Sequence, residues 1–368
     1  MAAGFSGRFF SSIFAFMTKR QKTAAFLTAS ALCFILACRL SKPLADFYAL
    51  HLYPAISSAL SRLASFTAYS LTEVTILSLI LWILVLWGLV LSRRMRAGRA
   101  LWGTVLILTG AMAWLYMGWG INYFRSDLYS RRHVQASSFS KEALMDYLEW
   151  YSQALNDNLS KPKTASTGKA ALEEELRRFY LKEGPISGLC VPKNWQHPKR
   201  LLLEDLYAGV GVLGYVGPFF AEHQVSGKLL DMEYPFTLAH EYAHVLGVSE
   251  EAEANYWGFV SCMASQDPGV RYSALQGILT QTLSTARAAL DDQAYRKWMK
   301  TLPPRAIEDL KARQQHWRGL YWPLLGSIQE KAYDLFLKGN QVKGGMANYN
   351  RAISMILTFE KDRMAARR

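Results

Sequence analysis

Pro235-Phe-Thr-Leu-Ala-His-Glu-Tyr-Ala-His-Val-Leu-Gly247, followed at once by Val-Ser-Glu-Glu-Ala-Glu-Ala-Asn255, is the stretch on which the reading of this chain turns. It contains His-Glu-x-x-His. On a helix His240 and His244 lie four residues apart and project from one face, where two imidazoles can share a zinc ion while Glu241 polarises a water. Pro235 suits the first helical turn and Gly247 the left-handed position that ends it, so a helix of the right length is expected. The bare motif arises by chance on the order of once per hundred chains of this length. Its surroundings therefore have to carry the argument.

Two histidines need a third protein ligand, and Glu250, Glu251 and Glu253 follow within the next few residues. A turn at Gly247 to Ser249 would fold a second helix back on the first. Counting from Glu251, residues Asn255, Gly258 and Cys262 fall within about 40° of it, whereas Glu253 lies about 200° away beside Trp257 and Val260. Glu251 thus shares its face with small residues that let two helices approach, and it is the expected third ligand. Asn255, one turn on, is placed to hydrogen-bond a ligand from behind. Glu250 and Glu253 read as a solvated first turn favoured by the helix dipole.

The 368 residues are 51% hydrophobic and 13% aromatic, yet carry a formal net charge of +13. The average hides a split, because residues 23–38, 74–92 and 100–124 hold no charge at all. Runs of about 20 apolar residues match a hydrocarbon core of about 30 Å, so three membrane helices are expected, at about 23–40, 72–92 and 100–122. The first is short enough to pass for the apolar part of a signal peptide. Against that, Leu36 fits a lipoprotein cleavage site poorly and Arg39 follows Cys38 directly.

Lys19, Arg20 and Lys22 precede the first span, and Arg93, Arg94, Arg96 and Arg99 crowd the connection between the second and third. Short cytoplasmic loops carry the basic excess. This assigns residues 1–22 to the cytoplasm, 23–124 to the membrane region and 125–368 to an extracytoplasmic domain, with Arg125, Arg131 and Arg132 arguing mildly against it. The positive balance is then a topology signal and an attraction to lipid rather than a nucleic-acid stripe. The partners expected are the bilayer and a peptide or protein substrate, with no nucleic acid.

Leu44 to Tyr69 reads as an interfacial helix or a cover over the spans. Residues 139–157 and 170–183 have helical spacing, separated by a polar linker from Ser160 to Gly168. Residues 203–234, and above all the run Ala208 to Val225, are rich in glycine, valine and aromatics and suit short strands or extended loops. An exposed strand beside a metal site would bind an extended peptide as an added strand; a plain structural hairpin fits the same residues. Glu222 and His223 lie here as candidate contacts to substrate or metal, although a lone histidine is more often neither. From Asp267 to Arg368 the chain is helical by spacing, broken at Leu302-Pro-Pro304 and at Gly344-Gly345. Tyr349 is a candidate donor to a developing oxyanion, against the blander role of a core or surface tyrosine. Cys33 and Cys38 fall in the first span, while Cys190 and Cys262 are permitted to pair in an oxidising exterior without being required to.

The order of these features resembles a bacterial membrane family catalogued as domain of unknown function 3810. The resemblance is carried by Leu52-Tyr-Pro-Ala-Ile-Ser57, Gly120-Ile-Asn-Tyr-Phe-Arg125, Tyr234-Pro-Phe-Thr-Leu-Ala-His-Glu-Tyr-Ala-His244, Glu251-Ala-Glu-Ala-Asn255 and Val342-Lys-Gly-Gly-Met-Ala-Asn-Tyr349. The metal segment is also similar to membrane-bound gluzincin peptidases, in which Glu-x-x-Ala-Asp supplies the third ligand through its first glutamate. That likeness implies Glu251 here. Asn255 stands where those peptidases have aspartate, and asparagine does not offer a ligand histidine the same charge.

These readings predict a mainly α chain with three N-terminal transmembrane helices. A mostly helical, zincin-like extracytoplasmic domain follows, with a small β or extended segment before the His-Glu-x-x-His helix. The expected function is that of a membrane-anchored zinc metallopeptidase, with Zn2+ on His240, His244 and Glu251 and a water activated by Glu241. Asn255, Tyr349 and Glu222 are supporting candidates. Two alternatives stay open: a catalytically silent, zinc-stabilised membrane protein that binds a peptide or envelope partner, and a zinc amidase acting on cell-wall material. Glu241 favours an enzyme, because a purely structural site has no need of a base in that position.

Overall fold

Apolar composition dictates the first elements. Among the described residues three helices are long and apolar enough to cross a bilayer: α1 (Lys19–Leu40), α4 (Leu71–Leu91) and α5 (Ala97–Gly118), with α2 (Lys42–Phe47) and α3 (Tyr53–Ala64) between the first two. The computed structural model describes residues 19–135, 140–159, 168–340 and 351–360. α5 ends at Gly118, earlier than the expected 122, because the backbone leaves helical geometry at Trp119 (φ −160°) and continues as a 3-10 turn over Gly120–Phe124. The reason is tertiary. A Cβ at Gly118 would stand 2.5 Å from the Pro218 carbonyl oxygen, so the helix end sits directly against another part of the chain.

The segment expected to cover the spans consists of α2, a π-helical turn at Tyr48–Leu52, and α3. It is built into the interior rather than laid over it. The buried Tyr48 hydroxyl donates to the Met117 carbonyl at 2.6 Å, and the buried Tyr53 hydroxyl to the Val245 carbonyl at 2.7 Å.

Beyond the spans come α6 (Leu128–Arg131), α7 (Lys141–Leu159), α8 (Lys169–Glu183) and α9 (Glu204–Gly209). An antiparallel hairpin follows, β1 (Gly214–Gly217) and β2 (Glu222–Val225), with Gly214 opposite Val225 and Gly217 opposite Glu222. Residues 204–209, expected to be extended, are helical instead, and within the run to Val225 only Gly214–Gly217 and Glu222–Val225 are strand. The Lys199 amide donates to the His223 carbonyl at 2.8 Å, which places Lys199 along β2 and leaves β1 at the edge, while Arg200 pairs with Tyr69.

The remaining elements are α10 (Tyr234–Val245), α11 (Glu251–Met263), α12 (Pro268–Ala289), α13 (Asp292–Met299), α14 (Pro304–Leu320), α15 (Pro323–Gly339) and α16 (Arg351–Phe359). Pro303-Pro304 separates α13 from α14 as expected, and a further break at Tyr321-Trp322 separates α14 from α15. Gly344-Gly345, Tyr349 and most of the 160–168 linker lie outside the described residues.

α10, α11, α12 and α7 form the centre, with Leu238, Phe259, Leu275, Ile278, Leu148 and Leu155 in one hydrophobic interior. Each such side chain, fully buried, contributes about 1.5–3 kcal/mol. The polar ends of buried tyrosines are satisfied: Tyr180 donates to Ala239 O at 2.7 Å and Tyr151 to Leu275 O at 2.6 Å. The same interior continues to Tyr48, Tyr53, Trp119 and Ile121, so the segments next to the spans and the His-Glu-x-x-His helix share one core. Cys190 and Cys262 are both buried and unpaired.

Candidate metal centre

α10 has Pro235 in its first turn, and the Phe236 amide, which has no intrahelical partner, donates to Ser273 Oγ at 3.1 Å. At the other end Gly247 takes φ +100°, a conformation in which any side chain is strained. The carbonyls around this end, beyond the reach of intrahelical amides, are taken by distant groups. Trp119 Nε1 donates to His244 O at 2.7 Å, Tyr53 to Val245 O at 2.7 Å, the Cys190 amide to Leu246 O at 2.9 Å and Arg125 to Gly247 O at 3.2 Å. The helix is thereby fixed in direction by distant residues, three of them (Tyr53, Trp119 and Arg125) close in sequence to the long apolar helices.

α11 then runs back along α10. A Cβ at Gly258 would lie 3.2 Å from the Phe236 ring and 3.4 Å from His240 Cβ, and Cys262 Sγ donates to Pro235 O at 3.4 Å. This close contact brings three donors together. His240 Nε2 and His244 Nε2 are 3.1 Å apart, and Glu251 Oε2 lies 3.2 Å from the first and 3.8 Å from the second. One ligand atom from each residue falls within 4.8 Å of the others. His244 Nδ1 is 2.7 Å from the Val248 carbonyl, which can only accept, so Nδ1 carries the proton and Nε2 offers its lone pair to the centre. Two imidazole nitrogens and one carboxylate oxygen are a donor set that zinc takes.

Electrostatics sharpen the roles. Burial alone would raise Glu251, but the two imidazoles beside it outweigh that and, with no metal bound, hold the carboxyl well below the usual carboxylate range. Burial pushes Glu241 up to about 7 against the lowering pull of His240 and His244. A base near neutral pH is what proton transfer to and from a reacting group requires. Glu241 Oε2 and His240 Nδ1 are buried without a hydrogen-bond partner, so the cluster is not self-sufficient. β1 passes directly against Glu241: a Cβ at Gly214 would stand 2.8 Å from its Cγ and 2.9 Å from Oε1, a distance only glycine allows.

Several other expected residues fall elsewhere. Glu253 is not solvated. It is buried, forms an ion pair with Arg131 and accepts from Trp257 Nε1 at 3.1 Å, because the segment after α5 folds across that side of α11. Glu250 accepts from Arg351 at 2.6 Å. The Glu222 carboxylate points to the start of α4: Oε1 accepts from the Thr72 amide at 2.8 Å and from Ser70 Oγ at 3.2 Å. Its task there is to satisfy an otherwise orphaned helix amide. His223 is buried and stacked on Tyr242, with ring centroids 5.1 Å apart, and burial pushes it down to about 3. Asn255 is buried and orients neither histidine, since His244 Nδ1 is held by the Val248 carbonyl and His240 Nδ1 has no hydrogen-bond partner; its own amide nitrogen has none either. Tyr349 lies outside the described residues.

Sequence reasoning missed Tyr333, whose hydroxyl donates to Glu251 Oε1 at 2.6 Å from a position 82 residues along the chain. It also missed Trp119, which bonds the His244 carbonyl and sets its ring edge-on to the imidazole with centroids 6.1 Å apart. Neither carries a local signal; for Gly214 the glycine-rich run was the only hint.

The model of a family described as protein of unknown function (DUF3810) matches residues 48–357, a range that includes every residue of the centre. No curated protein and no solved structure matches the chain.

Proposed function

The chain belongs to that family, and we propose that it is a membrane-anchored, zinc-dependent peptidase of gluzincin type. His240, His244 and Glu251 would hold the metal, and Glu241 would serve as general base. The observation that carries this reading is the meeting of two imidazole Nε2 atoms and a Glu251 oxygen beside a buried, unpartnered Glu241 oxygen. Zinc bound there supplies a Lewis acid for the scissile carbonyl. Glu241 accepts a proton from the attacking water as the new C–O bond forms, and returns it to the amide nitrogen as the C–N bond breaks. The β1 edge, lying against Glu241, offers main-chain groups to an extended peptide. Tyr333 keeps Glu251 from rotating.

We assign the centre to the outer side of the membrane. Arg93, Arg94, Arg96 and Arg99 cluster around the start of α5, while Trp119, just past its other end, bonds His244. A helix of this length spans about 33 Å, close to the hydrocarbon thickness. With the arginine cluster in the cytoplasm, the centre is outside. Arg125 and Arg131 no longer weigh against this, because the first bonds the Gly188 and Gly247 carbonyls and the second pairs with Glu253. A reporter active only outside, fused after Arg368, should therefore work. Activity of a cytoplasm-only reporter at the same place would reverse the assignment.

Purified full-length protein should carry about one zinc per chain and cleave members of a peptide library, with cleavage abolished by a chelator. Zinc content without any cleavage would favour the silent scaffold instead. Cleavage that survives complete removal of metal would reject zinc catalysis.

A further inference from the structure

α15, which supplies Tyr333, divides into three arcs on a helical wheel. Leu324, Leu335, Ile328, Ala332 and Leu325 fall within about 100° of one another. Gly326, Tyr333 and Leu337 form the next arc, and Ser327, Glu330, Lys331, Asp334 and Lys338 the third. The second arc faces protein, since Gly326 and Leu337 are buried and Tyr333 bonds Glu251. The first is bare: Leu324 is 74% exposed, Leu335 70% and Ile328 56%. Helices with a charged face beside an apolar one of this kind are those that lie in a membrane surface.

The position of α15 says what covers that arc. At its C-terminal end Asn340 Oδ1 accepts from Tyr116 in the last turns of α5 at 2.6 Å, and Phe336 meets Tyr123 edge-on with centroids 5.7 Å apart. At its N-terminal end the Trp322 amide donates to the Gly209 carbonyl of α9 at 2.7 Å. Just before α9, the amides of the exposed Leu202 and Leu203 donate to Glu73 in the first turn of α4, at 2.7 and 2.9 Å. Both ends of α15 are thus tied to the same ends of two bilayer-length helices. Between these ties the hairpin tip reaches to the same level, with Phe219 and Phe220 packed on Trp114 of α5. The bare arc of α15 thus belongs to a helix held at the level where α4 begins and α5 ends, and on the wheel Lys331 and Lys338 flank it, as lysines do whose stems lie along lipid while their ammonium groups reach phosphate.

We propose that α15 is an interfacial helix whose Leu324, Ile328 and Leu335 side chains lie in the outer leaflet of the bilayer, holding the Tyr333 side of the centre at the membrane surface. This rests on α4 and α5 being membrane spans and not on zinc chemistry, so its test needs neither metal nor substrate. The full chain, in a Cys33→Ala background because the other three cysteines are buried, would be placed in lipid nanodiscs as four single variants. Leu324→Cys, Ile328→Cys, Leu335→Cys and, on the charged arc, Glu330→Cys would each carry a small fluorophore. All four native side chains are exposed, and the one hydrogen bond lost is that from the Tyr321 hydroxyl to Glu330, itself at the surface. Nitroxide-bearing lipid should quench the first three roughly threefold or more above Glu330→Cys, and aqueous iodide should show the opposite order. Equal iodide quenching at all four positions would overturn the proposal. So would protection of the first three from both quenchers, which would mean that protein, from this chain or a second copy, covers the arc.

Discussion

On one side of the first turn of α11, Glu251 lies 3.2 Å from His240 and 3.8 Å from His244; on the other, Glu253 is paired with Arg131 and Trp257. Both carboxylates are close to buried cationic or polar partners, yet the two surroundings differ in kind. Glu253 meets a permanent cation and an indole N–H, and its charge is answered in full. Glu251 meets two imidazoles that crowd their nitrogens to 3.1 Å, with His240 Nδ1 and Glu241 Oε2 left unpartnered beside them. Interiors rarely leave such atoms without a partner, so the Glu241 oxygen beside the three donors calls for an explanation that the Glu253 pair does not. The comparison teaches that charge and burial alone do not separate a structural ion pair from a candidate site; the grouping of metal-type donors around a carboxylate does.

The largest effect expected is from Glu241→Gln. The amide keeps the shape but not the basicity, so turnover should fall by about 100- to 10,000-fold while zinc content stays unchanged, as read by single-turnover assay and metal analysis. If turnover is unaltered, the base is elsewhere and the unpartnered oxygen means something other than catalysis.

Glu251→Gln attacks the ligand side of the comparison. Loss of a residue that merely supports a ligand weakens metal binding about 10- to 100-fold, so loss of the ligand itself should exceed that in a chelator competition. Full zinc in this variant, with loss from Glu250→Gln or Glu253→Gln, would invert the roles.

Glu253→Gln attacks the structural side. Breaking a buried pair costs about 3–5 kcal/mol, and the lower figure is expected because the amide still accepts from Arg131 and Trp257. Denaturant unfolding should show that loss with zinc per folded chain unchanged. Metal loss without loss of stability would erase the distinction between the two glutamates.

Tyr333→Phe should have the smallest effect. Removing one hydrogen bond from Glu251 Oε1 is expected to weaken zinc by about tenfold, the lower end for a supporting residue, with little change in unfolding. An unchanged zinc affinity would show that the packing of α11 orients Glu251 without it.

What the sequence by itself determined was local: the four-residue spacing that puts His240 and His244 on one face, the left-handed turn at Gly247, the opposition of Glu251 and Glu253 around α11, and three apolar helices. These follow from backbone sterics and helical period, which any window of a few residues already contains. What each face meets was decided only by the tertiary structure. Arg131 reaches Glu253 across 122 residues, Tyr53 reaches Val245 across 192, and Glu222 turns out to serve the first turn of α4 across 150. Tyr333 arrives at Glu251 on a helix with no motif of its own. Pairings of that range depend on how the whole chain closes, so similar local patterns become a buried ion pair or a candidate metal ligand according to what the fold brings against them.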